Sequence, residues 1–281
     1  MTTSTITVPG APHQRRSRAA TSLTRSSGLG LGIALTWFSL LVLIPLCLII
    51  VQAAKGGWST YYDTLTNPQT AAALRLTVGQ ALLVTVVNVV MGTLIAWVLV
   101  RDEFPGKRVL EVIIDIPFAL PTIVAGLVLL SLYGPRSPLG IHLANTEWSV
   151  FLALLFVTLP FVVRTVQPVL MELDADVEEA AASLGASKYR TFRRITLPSL
   201  APAIAAGAAL SFARGISEYG SLVLLSGNLP MKSEVASVRI LTYIENGNEA
   251  AAAAVASLLL LVALIAIVVL DVVSRAVARR G

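Results

Sequence analysis

Long uncharged stretches dominate this chain, and they are long enough to cross a bilayer as helices. Residues 28–51, 76–100 and 250–270 contain 24, 25 and 21 residues without a charge. A helix needs about 20 apolar residues to cross a hydrocarbon core roughly 30 Å thick. These three stretches therefore predict transmembrane helices.

Three further stretches are nearly as long but carry charges. They are 109–133 with Glu111 and Asp115, 148–171 with Arg164, and 200–226 with Arg214 and Glu218. Irregular backbone cannot face lipid, so we expect each to be a helix whose charges face protein or water. The pattern predicts an all-α polytopic membrane protein with six transmembrane helices.

The basic residues set the orientation of these spans. With both termini in the cytosol, 14 of the 21 Lys and Arg residues lie on the cytosolic side and four lie in outer loops. Basic residues near span ends resist translocation. We therefore expect a multi-pass protein of the cell (plasma or inner) membrane with both termini cytosolic. The formal net charge of +5 then lies at the cytosolic rim, where it favours membrane lipid over nucleic acid as a partner.

The chain divides into three predicted parts. Residues 1–27 are basic and rich in Ser and Thr, and we expect a disordered cytosolic arm. Residues 28–274 form the transmembrane domain, and 275–281 form a cytosolic tail. A secretory signal is the competing interpretation of the arm and first span, but its apolar region would be only about 7–15 residues long. An uncleaved anchor is preferred.

Composition limits the chemistry that the chain can perform. It is 56% hydrophobic and 13% charged, whereas soluble domains carry about 25% charged residues. Cys47 is the single cysteine, which excludes an internal disulfide, and two histidines do not make a metal cluster. The sequence contains no phosphate-binding loop, no H-E-x-x-H and no G-x-S-x-G. We expect no enzymatic activity and no cofactor in this chain, which leaves a transporter or channel subunit, or a membrane scaffold.

One strongly charged segment lies between the fourth and fifth spans. Residues 178–200 read EEAAASLGASKYRTFRRITLPSL. Acids come first and bases last, as the dipole of a helix favours. The acids are Glu172, Asp174, Asp176, Glu178 and Glu179, and the bases are Lys188, Arg190, Arg193 and Arg194. An apolar side at helical spacing consists of Val177, Ala180, Ala181 and Leu184.

This segment predicts a short amphipathic helix with a defined end. Gly185 can end or bend the helix, residues 186–194 can continue it, and Pro198 can begin the next span. The helix fits two roles equally well by residue type alone. It can be a connector lying on the lipid surface, or a docking helix that enters the groove of a soluble partner.

The spacing within this segment resembles the EAA loop of ABC-transporter permeases of the binding-protein-dependent importer class. The matching elements are Glu179-Ala180-Ala181, Gly185 after three residues, Ile195 after nine more, and Leu197-Pro198 after one more. The resemblance implies that residues 172–198 form a cytosolic coupling helix that rests in a cleft of the ATP-binding subunit. It also implies four partners: a second related permease, two ATP-binding subunits that supply ATP hydrolysis, and an extracytoplasmic binding protein.

Three other stretches are similar to the sulfate/thiosulfate permeases of the T type. They are DIPFALPTIVAGLVL at 115–129, PFVVRTVQPVL at 160–170 and SFARGISEYGSLVLLSGNLPMKSEVAS at 211–237. The resemblance implies import of sulfate or thiosulfate, with an extracytoplasmic sulfate-binding protein as the partner. Permeases for molybdate or another oxyanion are the nearest alternative. A secondary transporter is the alternative from another class, but it would usually show two repeated halves, and the sequence shows no internal repeat.

The third and fourth spans contain candidate pathway residues and a candidate ion pair. Pro117 and Pro121 each remove a backbone donor and bend a helix. We favour a bent packing helix. The alternative is a hinge beside the pathway, with Thr122 in the lining, because oxyanions bind to N–H groups at helix breaks. Asp115 and Arg164 both lie about 10 Å from the cytosolic ends of their helices, which predicts a structural salt bridge between them.

The fifth span contains the remaining pathway candidates. Arg214 and Glu218 are four residues apart, on one face of the predicted helix, and Ser211 precedes them. We favour a self-neutralising pair that steadies the helix, because intramembrane charges usually pair. The functional alternative is that Arg214, partly balanced by Glu218, lowers the barrier for a divalent anion.

Overall fold

The computed structural model describes residues 25–173 and 175–278, and this part of the chain contains helices and no strand. Residues 1–24 of the predicted arm, residues 279–281 of the predicted tail, and Asp174 lie outside the described residues. The described residues divide into two compact units, one up to Cys47 and the other from Leu48 onward.

The first unit contains one apolar helical run that continues beyond it. Helix α1 (Arg25–Phe38) leads through a π-helical turn (Ser39–Leu43) into α2 (Ile44–Lys55). Pro45 lies two residues after the π-helical turn, at the second position of α2. Because a proline has no N–H to donate to a carbonyl one turn earlier, the wider turn accommodates it. The run from Ser27 to Lys55 covers the predicted first span.

The second unit contains the other helices. They are α3 (Gly57–Thr66), α4 (Pro68–Arg101), α5 (Lys107–Ala119), α6 (Thr122–Tyr133), α7 (Glu147–Glu172), α8 (Ala175–Ser183), α9 (Lys188–Thr191), α10 (Leu197–Ile216), α11 (Gly220–Leu225), α12 (Ala236–Glu245) and α13 (Glu249–Ala278). A second π-helical turn, Phe192–Thr196, joins α9 to α10. Asn67 caps α4, because its side chain accepts from the N–H groups of Gln69 and Thr70.

Five helices in the described residues are long and apolar enough to cross a membrane. They are Ser27–Lys55, Pro68–Arg101, Glu147–Glu172, Lys188–Ile216 and Glu249–Ala276. A sixth is reached when α5 and α6 are counted as one broken span. The all-α polytopic class is confirmed, while the count of six depends on this bent pair.

The predicted third span is not one bent helix but two helices at 116° to each other. Pro121 follows Leu120, which has an extended backbone with φ −86° and ψ 136°. The ring of a proline disfavours the helical conformation for the residue before it. Leu120 adopts the extended alternative, so α5 ends at Ala119 and α6 begins after Pro121. Pro117, inside the last turn of α5, does not break the helix.

Both predicted bounds of the fifth span, residues 200 and 226, are wrong. The helical run begins at Lys188 and ends at Ile216, so Pro198 lies within it, after a π-helical turn, and does not begin it. The residues Ser217 to Tyr219 are not helical, and α11 begins after them. Glu218 therefore lies in a break between two helices and not on the same helix as Arg214.

Small residues let the long helices of the second unit approach closely. A Cβ placed on Gly92 of α4 would lie 2.9 Å from the Cβ of Val162 of α7. A Cβ placed on Gly207 of α10 would lie 2.9 Å from the Cα of the same Val162. Within a membrane, small residues at helix crossings allow the van der Waals contact that holds helices together.

Helices α6 and α11 pack backbone to backbone at Gly126, which predicts a large effect for one added methyl group. A Cβ on Gly126 would lie 2.7 Å from the carbonyl oxygen of Ser221. We expect Gly126→Ala to destabilise the chain by about 1–3 kcal/mol, because overpacking forces the two helices apart. Thermal unfolding of the detergent-solubilised chain measures the change.

Gly79→Ala is the matched control, since Gly79 of α4 has nothing within 4 Å of an added Cβ. Its stability should stay within about 1 kcal/mol of the unaltered chain, because alanine favours a helix over glycine. Equal melting temperatures for both variants would contradict the close packing of α6 on α11.

Candidate functional site

Helix α8 and the turn after it contain the first half of the predicted coupling loop. The helix ends as predicted at Gly185, whose φ is +81°. The N–H of Gly185 donates to Ala182 O at 2.9 Å, and that of Ala186 donates to Ala181 O at 3.0 Å. These two bonds form a Schellman motif, which requires a left-handed residue at the position of Gly185. Ser187 then caps α9, because its side chain accepts from the N–H of Arg190.

The structure separates the predicted coupling residues into two groups. Glu179, Ala180 and Gly185 are exposed on α8 and its end, and Ala181 is half-buried. Ile195, Leu197 and Pro198 lie instead in the π-helical turn and the start of α10. Two large side chains beside the first group are strongly exposed: Leu184 at 89% and Tyr189 at 71%. Tyr189 was missed from the sequence because it lies among the bases.

A buried carboxylate joins the broken helices α10 and α11. Glu218 is 1% exposed, and its Oε1 accepts from the N–H and the hydroxyl of Ser221, both at 2.9 Å. Its Oε2 lies 2.6 Å from Nη2 of Arg214, an ion pair without the angle of a hydrogen bond. The predicted pair is therefore present, although Glu218 reaches Arg214 from the break. The carboxylate already occupies the amino end of α11, where an anion would otherwise be favoured.

Thr122 lies beside this junction. A Cβ on Gly220 would lie 2.9 Å from the backbone nitrogen of Ile123 and would overlap the hydroxyl of Thr122. The first residues of α6 and α11 are therefore in contact, so both helix breaks meet at one place. Pro121 forms the amino end of α6, and Pro117 lies one turn before the break on α5.

The salt bridge predicted between the third and fourth spans is confirmed. Arg164 of α7 donates from Nε to Asp115 Oδ1 at 2.7 Å and from Nη2 to Oδ2 at 2.5 Å. The guanidinium also donates to Gln167 Oε1 at 2.7 Å and to the carbonyl of Glu111 at 3.1 Å. The fork geometry joins α5 to α7 and balances both charges.

Ser211 does not belong to the Arg214 junction but to a separate buried polar cluster. Asn88 of α4 donates from Nδ2 to Thr158 Oγ1 of α7 at 2.7 Å and to Ser211 Oγ of α10 at 3.1 Å. Its Oδ1 is buried and has no partner among the described residues. The sequence signal for this cluster was a lone asparagine in an otherwise apolar stretch. Interhelical side-chain bonds of this kind fix how three helices meet.

A cavity of about 350 Å³ lies at the amino end of α4. Its charged lining residues are Arg75, Glu147, Lys232 and Glu234. Two acids and two bases give it no clear preference for an anion. Glu234 is already engaged, because it accepts from Gln69 Nε2 at 2.7 Å.

Curated relatives of this chain are similar over most of its length. The sulfate transport system permease protein CysT of Salmonella typhimurium is 42% identical over 232 residues, covering 80% of this chain and 84% of that protein. The CysT protein of Escherichia coli is 41% identical over 232 residues, with the same coverage. That of Synechocystis is 40% identical over 250 residues, covering 86% of this chain and 87% of that protein.

Solved structures share the fold at low sequence identity. A bacterial alginate ABC transporter in complex with a pentasaccharide-bound periplasmic protein has a chain with a TM-score of 0.71 and 17% identity, covering 89% of this chain and 94% of that chain. The MetNI methionine ABC transporter has a chain with a TM-score of 0.57 and 20% identity, covering 73% and 96%. These likenesses support the helical membrane architecture.

A family model described as "binding-protein-dependent transport system inner membrane component" matches residues 88–280. This range includes α8, both helix breaks and the Asp115–Arg164 pair. Members of this family are membrane components that work with ATP-binding and substrate-binding components, and ATP hydrolysis resides in a separate subunit. The chain is therefore a multi-pass membrane protein that belongs to the binding-protein-dependent transport system inner membrane components.

Proposed function

We propose that this chain is the permease subunit of an ATP-driven importer of sulfate or thiosulfate. The observation that carries the proposal is the similarity to sulfate permeases, at 42% identity over 80% of the chain. That similarity includes most of the membrane region and is far higher than the 17% identity of the structural neighbour that shares only the fold.

The proposed assembly contains a second, related permease, two ATP-binding subunits and an extracytoplasmic sulfate-binding protein. The described residues of this chain provide one α8 with an exposed surface, which is enough to dock one ATP-binding subunit. Two such subunits therefore need a second permease with its own docking helix. The second permease also supplies the other half of the pathway, and membrane lipid surrounds the remaining apolar surface.

In this proposal both termini and α8 lie in the cytosol. The support is the bias of the basic residues, 14 of 21 on that side, which sets orientation because such residues resist translocation. Glu179, Ala180, Ala181 and Gly185 then contact the ATP-binding subunit. The remaining coupling residues, Ile195, Leu197 and Pro198, connect the docking helix to the membrane helix that follows.

The proposed pathway passes the junction of the two helix breaks. Arg214 is the basic side chain there, with 30% of its side chain exposed, and it lowers the cost of bringing a divalent anion into the membrane. Pro121 and Thr122 position α6 against the junction, and Pro117 shapes the turn before it. Glu218 caps α11 and limits the positive charge. Ser211, turned to Asn88, contributes to packing.

Uptake of labelled anions tests the proposed function. Cells with the complete complex should accumulate labelled sulfate or thiosulfate in an ATP-dependent way, and cells without this chain should not. Molybdate uptake with no sulfate or thiosulfate uptake would assign the chain to the other oxyanion class. Uptake that persists without an ATP-binding subunit would contradict the importer mechanism and favour a secondary transporter.

The docking role of α8 predicts a strong effect at Gly185. We expect Gly185→Val to weaken binding of the ATP-binding subunit by about tenfold, because a left-handed backbone costs a β-branched residue about 1–2 kcal/mol. Co-purification and titration of the purified subunits measure it. Since ATP-binding subunits are cytosolic, binding at this loop also tests its orientation.

Gly185→Asn is the matched control, since asparagine tolerates the left-handed conformation. It should keep the affinity of the unaltered chain. Nothing lies within 4 Å of an added Cβ at this position, so neither variant should disturb packing within the chain. Normal binding and transport in Gly185→Val would show that α8 does not dock the ATP-binding subunit.

The pathway role of Arg214 predicts a loss of transport without loss of ATP hydrolysis. Arg214→Gln should lower sulfate uptake about tenfold or more, because a divalent anion then meets an unbalanced carboxylate at low dielectric. Glu218→Gln should leave a net positive site that holds sulfate longer, so its uptake should saturate at lower sulfate concentration. Uptake and ATPase activity are measured together in proteoliposomes.

The double variant Arg214→Gln with Glu218→Gln separates charge from folding. A buried charge without its partner destabilises a protein by about 3–5 kcal/mol, and the double variant avoids that state. If it assembles, hydrolyses ATP and still fails to transport, Arg214 acts in the pathway. Normal transport in the double variant would leave the pair with a structural role only.

A further inference from the structure

Helix α8 is held to the end of α4 by one partly buried ion pair. Arg101, the last residue of α4, donates from Nη2 to Glu178 Oε1 of α8 at 2.8 Å. The two side chains are 25% and 28% exposed. The sequence placed Glu178 only among the acids that favour the start of a helix, and gave no sign of its partner 77 residues earlier.

The same carboxylate oxygen reaches a third segment. Thr196 donates from Oγ1 to Glu178 Oε1 at 3.1 Å. Thr196 is 1% exposed and ends the π-helical turn that leads into α10. One oxygen atom therefore connects α8 to two long membrane helices, α4 and α10.

Aromatic side chains pack next to the ion pair of Arg101 and Glu178. Its guanidinium carbon lies 5.5 Å from the ring centre of Trp97, within the range of a cation–π interaction. Trp97 in turn meets the edge of Phe192, in the π-helical turn, at 5.4 Å and 82°. Nε of Arg101 is buried without a hydrogen-bond partner among the described residues, and Glu178 accepts from Nη2 and balances the charge of this guanidinium.

The backbone on both sides of α8 is not helical, so the covalent chain alone does not fix α8 to the membrane helices. Leu173, before α8, is extended with ψ 120°. Gly185, after α8, is left-handed with φ +81°. A short helix between two such joints can change its angle without moving its neighbours. The contacts of Glu178 remove that freedom.

We propose that Glu178 is a positioning residue that fastens the docking helix to α4 and α10, so that these elements move as one body. The inference rests on the proposed function of the chain and deepens it. Glu179, the exposed neighbour, faces the ATP-binding subunit, whereas Glu178 faces the permease itself. A movement of α8 thus reaches α4, a helix of 34 residues without an interior proline.

The amino end of α4 is also held by hydrogen bonds, so a movement of α4 reaches the segments bonded there. Gln69 donates to Glu234 at 2.7 Å, and the hydroxyls of Thr70 and Tyr243 lie 2.8 Å apart. Arg239 adds a contact from Nη2 to the Tyr243 hydroxyl at 3.2 Å. These bonds connect the amino end of α4 to the last turn of α12 and to the loop before α12, about 50 Å from Arg101 along α4.

Glu178→Gln in the complete reconstituted complex tests the proposal. We expect the amount of sulfate imported per ATP hydrolysed to fall about tenfold, within the usual range of a coupling free energy. Affinity for the ATP-binding subunit should not change, because the docking surface is intact. The matched control is Glu103→Gln, whose carboxylate also pairs with a base at 2.8 Å but is 88% exposed. The control should keep the normal ratio.

Exchange of the two charges identifies the pair itself. Arg101→Glu should behave as Glu178→Gln does, and Arg101→Glu combined with Glu178→Arg should restore at least part of the ratio. A normal ratio in Glu178→Gln overturns the inference, as does a double variant that is no better than the single ones. Weaker binding of the ATP-binding subunit in Glu178→Gln would make Glu178 a docking residue instead.

A distance measurement keeps this test separate from the choice of substrate. With Cys47 replaced, spin labels at Asp102 and Ser183, both exposed, report the distance between the end of α4 and α8. The distance distribution should be narrow in the unaltered complex and broad in Glu178→Gln. A complex that imports no sulfate overturns the proposed function alone, whereas equal distributions overturn the role of Glu178.

Discussion

Lipid offers no hydrogen bonds, and this constraint governs where the chain can depart from a helix. Each break in a membrane helix exposes backbone groups that protein must satisfy. At the first break, the N–H of Leu120 still donates to Ile116 O, and the carbonyl of Pro121 accepts from Val124 and Ala125. At the second, the side chain of Glu218 accepts from Ser221, and Ser237 donates to the carbonyl of Glu218. The two breaks also lie together, because Gly220 after the second break contacts Thr122 and Ile123 after the first.

The same constraint explains why the charged side chains of this unit are paired. Arg164, Arg214 and Arg101 each have a carboxylate within hydrogen-bonding distance. The pairs join α5 to α7, α10 to the break after it, and α4 to α8. Each of these arginines interrupts or ends an apolar stretch. Each ion pair links two segments that are otherwise connected only through a turn or a loop. The polar residues of this unit thus hold together elements that apolar packing alone would leave free to slide.

The sequence predicted what depends on length, charge and local backbone. The three uncharged spans, the depth that pairs Asp115 with Arg164, and the helix end at Gly185 follow from spacing and from residue type. The break at Pro121 was read as a bend, because its 116° angle depends on how Gly126 meets Ser221, which are far apart in sequence.

Glu218 was placed on a helix because its spacing from Arg214 suits one. The contact that removes it from the helix comes from Ser221 and α12. The polar clusters around Asn88 and Glu178 depend on segments 70 residues or more apart, so the sequence can single out the lone Asn88 but not the partners of either residue.

The position of Val162 determines which relative movements the long helices allow. Its side chain lies against Gly92 of α4, and its Cα lies with the hydroxyl of Thr165 against Gly207 of α10, so α7 fills a notch in each neighbour. Sliding either helix along α7 by one residue, about 1.5 Å, would replace its glycine by a neighbour that has a Cβ and would close the notch. Rotation about Val162 keeps both notches in register. The three helices thus meet at Val162, and their packing at this point allows them to tilt relative to one another but not to slide.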